Sequence, residues 1–515
     1  MKINALLIVV LAILTTQANT QAKKSQIGKV KKPNIIYILA DDLGYGELGV
    51  YRQQKIETPN IDALANAGIM FTQHYAFPVC APSRYLLMTG KNSGHAYIRD
   101  NDEWSERGDI WDHKAMEANP SLEGQLPIPG STVTIAKVLK KAGYTTGIVG
   151  KWGLGGPMTA GIPNNQGFDY FYGFLCQRED HTYYPGHLWE NTFRSPLNNQ
   201  ILDPRTKLPS NLDSLDPKNY EAYQQKDYAP LFLVNAALNF IESNKNKPFF
   251  LYYPSPLPHV SLQAPQKWVD YYHKKFGDEK PFLGDGYFPC RYPRATYAAM
   301  VSTLDEEVGK IVKKLKDLGI LNNTIIMFCS DNGPTYNAGT DSPWFKSGGP
   351  FKSEYGWGKG FLHEGGIRVP FIVQWPGKIK PGSKTNLISA TWDLMPTLCE
   401  IIGARPPADI NGISYLPSLS GQFQQQKKHP FLYWEFPSYG GQQAVRLGKW
   451  KGIRMDIRKK GNMKIKLFNL DEDIQEQHDV ADQNPEIIEK IRHIMKTEHT
   501  TPEVEEFRMS VLEKN

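Results

Sequence analysis

Ile35-Ile36-Tyr37-Ile38-Leu39-Ala40 runs straight into Asp41-Asp42-Leu43-Gly44, and this junction decides the architecture. A short, unbroken apolar run rich in β-branched residues is the pattern of a strand buried on both faces, as in a parallel sheet. Residues 145–149, 249–253 and 324–330 have the same form, and helical segments separate the four runs. Each run ends at polar residues or a few positions before them: Asp41-Asp42 after the first, Lys151 after the second, His259 after the third, Asp331-Asn332 after the fourth. Ligands of open α/β sheets bind at the carboxyl ends of the strands, so these groups are expected to converge on one site. The expected fold class is α/β, a large doubly wound mixed sheet with a smaller α+β unit behind it.

Helix signals lie between the strands. Thr58-Pro59 reads as an N-cap with proline at the first helical position, and Gly68 as the glycine beyond a helix end. Helical periodicity covers residues 297–318 and 392–402. After about residue 425 the texture becomes short strands, at 431–435, 444–447, 450–455 and 464–469, then a helix at 486–496. Four antiparallel strands and a packed helix make a small α+β subdomain. The expected division is 1–22, 23–424 and 425–515.

Residues 5–14 form an apolar stretch behind Met1-Lys2, followed by small residues through Ala22, which reads as a secretory signal peptide. It is too short to span a bilayer, so the mature chain is expected to be exported, periplasmic or extracellular, with no membrane anchor. A net charge of +6 over 515 residues is too dilute for nucleic-acid binding. The five cysteines lack metal-site spacing and do not form a disulfide framework.

Asp41, Asp42, Asp331 and Asn332 offer only oxygen donors, a set that suits calcium, or less easily magnesium, and disfavours zinc. Cys80-Ala81-Pro82-Ser83-Arg84, followed by Met88-Thr89-Gly90, puts a cysteine just before a helix if Pro82 is its first residue. A helix N-terminus favours an anion. Lys151 in Gly150-Lys151-Trp152 and Lys359 in Gly356-Trp357-Gly358-Lys359-Gly360 are cations suited to an oxyanion.

These motifs resemble the type I sulfatases of the alkaline phosphatase superfamily. Cys-x-Pro-Ser-Arg, Pro258-His259-Val260 and the run from His363 through Glu364-Gly365-Gly366-Ile367-Arg368 to Pro370 fall in that family's order across residues 34–376. The resemblance implies an alkaline-phosphatase-like sheet and a sulfuric ester hydrolase in which a formylglycine-generating or anaerobic sulfatase-maturating enzyme oxidises Cys80 to formylglycine. The hydrated aldehyde would be the nucleophile. Asp41, Asp42, Asp331, Asn332 and residue 80 would hold one calcium ion. Arg84 would orient the hydrate, Lys151, His259 and Lys359 would hold the sulfate, and His259 would protonate the leaving alcohol.

The family commonly has a histidine after Lys-Trp, where this chain has Gly153. His181 and His187 are the nearest candidates to replace it. Residues 89–97, with His95, resemble the arylsulfatase and N-acetylgalactosamine-sulfatase branch, and the aromatic stretch 168–189 offers rings that stack on sugars or form core. The expected substrate is a sulfated saccharide. Alternatives are a phospho- or phosphonate-ester hydrolase of the same superfamily, or a non-catalytic glycan-binding protein.

Overall fold

A computed structural model describes residues 32–513 apart from 105–106 and 109–111, so the apolar stretch assigned to the signal peptide lies outside the described residues. The described residues from Asn34 onward form one compact unit.

Its main sheet contains β1 (Asn34–Ala40), β2 (Ile69–Tyr75), β3 (Thr145–Lys151), β4 (Tyr170–Phe174), β5 (His187–Glu190), β6 (Phe193–Pro196), β7 (Phe249–Pro254), β8 (Thr324–Ser330), β9 (Arg368–Gln374), β10 (Ser383–Thr385) and β11 (Ser389–Ala390). The order is β10-β2-β9-β8-β1-β7-β3-β4-β5-β6, with β11 beside β2. The four runs expected from the sequence are the contiguous parallel centre, β8-β1-β7-β3. β9 is antiparallel to both β8 and β2, which makes the sheet mixed.

Alternation along β1 explains why its residues are apolar without a break. Ile35, Tyr37 and Leu39 pack into one core, while Ile36, Ile38 and Ala40 pack into the other. The first core takes residues from helices Cys80–Thr89, Ile135–Lys141 and Leu394–Ile402, and the second from Pro59–Asn66, Ala229–Asn244 and Pro293–Asp317. Both sheet faces are therefore covered, so a polar side chain on a central strand has no solvent to face.

β12 (Leu432–Phe436), β13 (Gln442–Leu447), β14 (Trp450–Arg454) and β15 (Lys466–Asn469) form a second, antiparallel sheet. One face packs Tyr433, Val445 and Leu467 against Ile491 and Met495 of helix Pro485–Thr497. The other sends Trp434, Phe436, Ala444 and Ile453 into the first core of the large sheet. All five cysteines are free and buried.

Two local expectations are corrected. Thr58 is the N-cap residue and Pro59 opens the helix, as expected, but the Thr58 hydroxyl does not cap it: it accepts from Gly49 N–H at 2.9 Å and reaches Asp62 at 3.2 Å. Pro82 is not the first helical residue either. Val79 is extended and the helix begins at Cys80, which places Pro82 in the first turn, where its missing N–H costs no intrahelical bond.

Candidate active site

The carboxyl ends of β1, β3, β7 and β8 deliver Asp41, Lys151, His259 and Asp331 to one side of the sheet, as the strand ends predict. Each of these side chains is buried. Arg84, one turn into the helix that starts at Cys80, is fully buried and bridges the strand ends. Its Nη2 lies 2.8 Å from Asp41 Oδ2 and 2.9 Å from Asp331 Oδ2, and its Nη1 donates to Lys151 O at 2.6 Å. Arg84 therefore stands behind the carboxylates that the sequence assigned to the metal. The cavity wall is formed by others.

That cavity, about 290 Å³, is lined by Cys80, Lys151, His181, His259 and Lys359 among others. Cys80 Sγ lies 3.3 Å from Asp41 Oδ1. Lys151 Nζ sits 2.6 Å from Asp41 Oδ2 and 2.8 Å from Asp180 Oδ2, and Lys359 Nζ sits 2.7 Å from the Asp42 carboxylate. Asp42 takes a left-handed backbone, φ 64°, and its N–H donates to Asp331 Oδ1 at 3.1 Å, so the second acid of the pair turns back onto the fourth strand end. Asn332 donates through Nδ2 to Asp42 Oδ1 at 2.8 Å, while its Oδ1 is buried and has no hydrogen-bond partner among the described residues.

Burial opposes ionisation of Asp41, but Lys151 and Arg84 more than offset it and hold its carboxyl well below the usual carboxylate range. Asp331 is pushed up to about 7, by burial first and then by Asp41. Asp180 is raised to about 6 by burial, against the pull of Lys151. His259 is lowered to about 4 by burial and by Lys359, so its ring is neutral near pH 7. Its Nδ1 lies 2.5 Å from Val260 O and its Nε2 3.7 Å from Asp42 Oδ2. Burial, reinforced by Asp41, raises the Cys80 thiol well above its ordinary value. An unmodified thiol here is therefore protonated and a poor nucleophile.

Three predicted histidines separate. His181 lines the cavity and stacks on His259 with ring centroids 5.4 Å apart. His187 lies elsewhere, with Nδ1 2.8 Å from Glu117 Oε2 and Nε2 3.3 Å from Glu123 Oε1, in a second buried acid cluster with Glu179. His95 is also outside the cavity wall, its Nδ1 3.1 Å from Asn411 Oδ1. The aromatic stretch is core: Phe168, Phe174, Tyr183 and Trp189 are buried, and Phe168 packs on Trp152 and Phe250. The rings that do face the cavity are Tyr287, Tyr336 and Tyr439.

Sequence reasoning missed Asp180 and Gln177. Both follow β4, a fifth parallel strand beside β3, and reading residues 170–174 as a strand would have pointed to them.

Groups gathered at the carboxyl ends of a mixed sheet covered on both faces mark the ligand site of an alkaline-phosphatase-like architecture. A family model described as "Sulfatase" matches residues 33–404, and one described as "N-sulphoglucosamine sulphohydrolase, C-terminal" matches residues 353–502. Human arylsulfatase A is 31% identical over 436 residues, covering 82% of this chain and 74% of the relative. N-acetylgalactosamine-6-O-sulfatase of Bacteroides thetaiotaomicron is 28% identical, covering 95% of this chain and 97% of its own. Among solved structures, Ps i-CgsB in complex with k-i-k-neocarrahexaose superposes with a TM-score of 0.70 at 27% identity, covering 92% of this chain and 94% of that one. The chain belongs to the sulfatase family and is a sulfuric ester hydrolase of the type I class.

Proposed function

We propose that the protein removes sulfate from a carbohydrate at the Cys80 cavity, with residue 80 matured to formylglycine and one calcium ion at the strand ends. The observation that carries this reading is the position of Cys80, at a helix start between Asp41 and a cavity that Lys151 and Lys359 line.

The residues fit a hard cation. Asp41, Asp42 and Asp331 are fully buried, and the buried Asn332 Oδ1 lacks a partner among the described residues, an arrangement a ligated cation would complete. Calcium would be held by those oxygens together with residue 80, and it would polarise the ester and neutralise charge. Formylglycine would supply a hydrated aldehyde whose second hydroxyl permits sulfate release, which serine does not offer.

The chain's own residues do the rest. Lys151 and Lys359 pair with sulfate oxygens in a site shielded from water, where such contacts are strong. The Val260 carbonyl fixes the tilt of the His259 ring. An anionic ester beside His259 counteracts Lys359 and raises the proton affinity of Nε2, the condition for donating a proton to the sugar oxygen. Arg84 holds Asp41 and Asp331 at a fixed separation.

The carbohydrate assignment draws on the named relatives, which include N-acetylgalactosamine-6-sulfatases, and on the neocarrahexaose-bound neighbour. Export as a periplasmic or extracellular enzyme is supported by the apolar residues 5–14, and maturation requires a formylglycine-generating or anaerobic sulfatase-maturating partner. No described helix is long and apolar enough to cross a membrane. Hydrolysis should be measured as sulfate release from 6-sulfated N-acetylgalactosamine, carrageenan oligosaccharides and an aryl sulfate, and as phosphate release from an aryl phosphate. Preferential cleavage of a sulfated saccharide is expected, and faster turnover of the phosphate would overturn the reading.

A further inference from the structure

We propose that the Gln177 carboxamide is a sulfate-ester contact in the Cys80 cavity, admitted there by the glycine at position 153. This rests on the sulfate-ester reading of the cavity. Gln177 follows the carboxyl end of β4, and its backbone N–H donates to Gln125 Oε1 at 3.0 Å; Gln125 Nε2 in turn donates to Asp102 O at 3.2 Å. The residue is anchored, yet its side chain is left open. It is 3% exposed, lines the cavity with Cys80, Lys151, His259 and Lys359, and neither Nε2 nor Oε1 has a hydrogen-bond partner among the described residues.

Buried amides are almost always paired, and leaving one open is costly. Because both ends of this amide lack partners, the conclusion does not depend on which way the group is flipped. A ligand in the cavity that both accepts and donates would complete it. A sulfate ester supplies acceptor oxygens for Nε2, and a hydroxyl at the nucleophile or on the sugar supplies a donor for Oε1.

Gly153 explains why the amide can be there. Its φ is +76°, a conformation that favours glycine, and a Cβ built on it would lie 3.2 Å from both Cγ and Cδ of Gln177. Any larger side chain at 153 would press on the space that Gln177 fills. Lys151, two residues earlier, reaches Asp41 and Asp180, so one segment contributes both a cation and the gap that holds a neutral donor. The division is chemical. Lys151 and Lys359 give charge, and Gln177 gives a directional hydrogen bond without titrating.

Gln177→Leu and Gln177→Met test this in the mature enzyme. Expected results are a fall of about tenfold or more in kcat/KM on an aryl sulfate, one transition-state contact's worth, with Tm unchanged or higher because no amide is left unpaired. In a Cys80→Ala background, which removes the nucleophile, inorganic sulfate affinity measured by calorimetry should fall about tenfold on the same two substitutions. Activity and sulfate affinity within twofold of the parent in both variants would overturn the proposal. So would losses that track an equal fall in Tm. A wild-type enzyme that splits no sulfate ester, yet binds sulfate in a Gln177-dependent way, would overturn the catalytic reading and leave this contact standing. An active enzyme indifferent to Gln177 would do the reverse.

Discussion

Two buried clusters of charge in this molecule are built from similar parts and end differently. At the strand ends, Arg84, Lys151 and Lys359 meet Asp41, Asp42, Asp331 and Asp180. Where the two sheets meet, Glu364 receives Lys451 Nζ at 2.9 Å and Arg368 Nη1 at 3.0 Å, and the Tyr75 hydroxyl at 2.9 Å, while Lys451 also reaches Glu476 at 3.2 Å. Both carboxylate oxygens of Glu364 are taken, and Lys451 and Arg368 outweigh the effect of burial, holding its carboxyl down at about 2. The junction network pairs its charges internally, away from the Cys80 cavity, and ties β14 to the segment before β9. The strand-end cluster stays open at Asn332 Oδ1 and at the Gln177 amide. Buried charge alone therefore does not mark a site here. Unfilled hydrogen-bonding capacity beside a cavity does.

The comparison breaks most sharply at residue 80. Cys80→Ser should fold with wild-type Tm and lose turnover by about a thousandfold or more, since the serine ester of sulfate has no second hydroxyl with which to leave. A fully active serine variant would remove the chemical distinction between the two clusters. Next come the lysines. Lys359→Ala should lower kcat/KM by about 10²–10³ with little change in Tm when measured with calcium present, since the cation would still compensate Asp42, whereas Lys451→Met should destabilise the fold by about 3–5 kcal/mol, because it leaves Glu364 and Glu476 short of their shared cation. The folded fraction of Lys451→Met should keep kcat/KM within about threefold. If the two lysines exchanged these phenotypes, the assignment of open and closed clusters would be reversed.

A third buried acid sharpens the contrast through pH. Glu307, in helix Pro293–Asp317, accepts from Ser255 Oγ at 3.0 Å, and burial raises its carboxyl to about 8 from 4.5. Since the folded state holds this proton more tightly than the unfolded chain, the stabilising effect is complete below pH 4.5 and is lost as pH rises towards 8. Glu307→Gln should match wild-type Tm near pH 5 and exceed it by a growing margin up to pH 8, read by thermal melts across that range. The smallest effects are expected at His95→Ala and His187→Ala, whose rings lie outside the cavity. Each should change kcat/KM less than about threefold, while His181→Ala, on the cavity wall against His259, should change it more.

How much of this was legible in the sequence follows from where each signal sits. Asp41, Lys151, His259 and Asp331 were readable because each directly or closely follows an unbroken apolar run, and Cys80 because its neighbours form a motif. β2 was not, since Thr72-Gln73-His74 interrupts its apolar pattern, and β9 carries Pro370 in its middle. The Glu364 to Lys451 pair joins residues 87 positions apart, a separation no local pattern reports. Gln177 and Asp180 are single polar residues in a loop, meaningful only once β4 is placed beside β3. The aromatic stretch 168–189 left two readings open, and core is the one the structure takes for a general reason: aromatic residues around a sheet edge are core-forming unless geometry turns them outward.

The central claim is that residue 80 acts as an aldehyde and not as a thiol. It is tested most directly by the mass of the proteolytic peptide containing residue 80, taken from protein made in its own host and compared with the specific activity of the same preparation. The account predicts the mass of a chain in which –CH2–SH has become –CHO, in a fraction that tracks activity from one preparation to the next. Full sulfatase activity in protein whose residue 80 is entirely unmodified cysteine would contradict it.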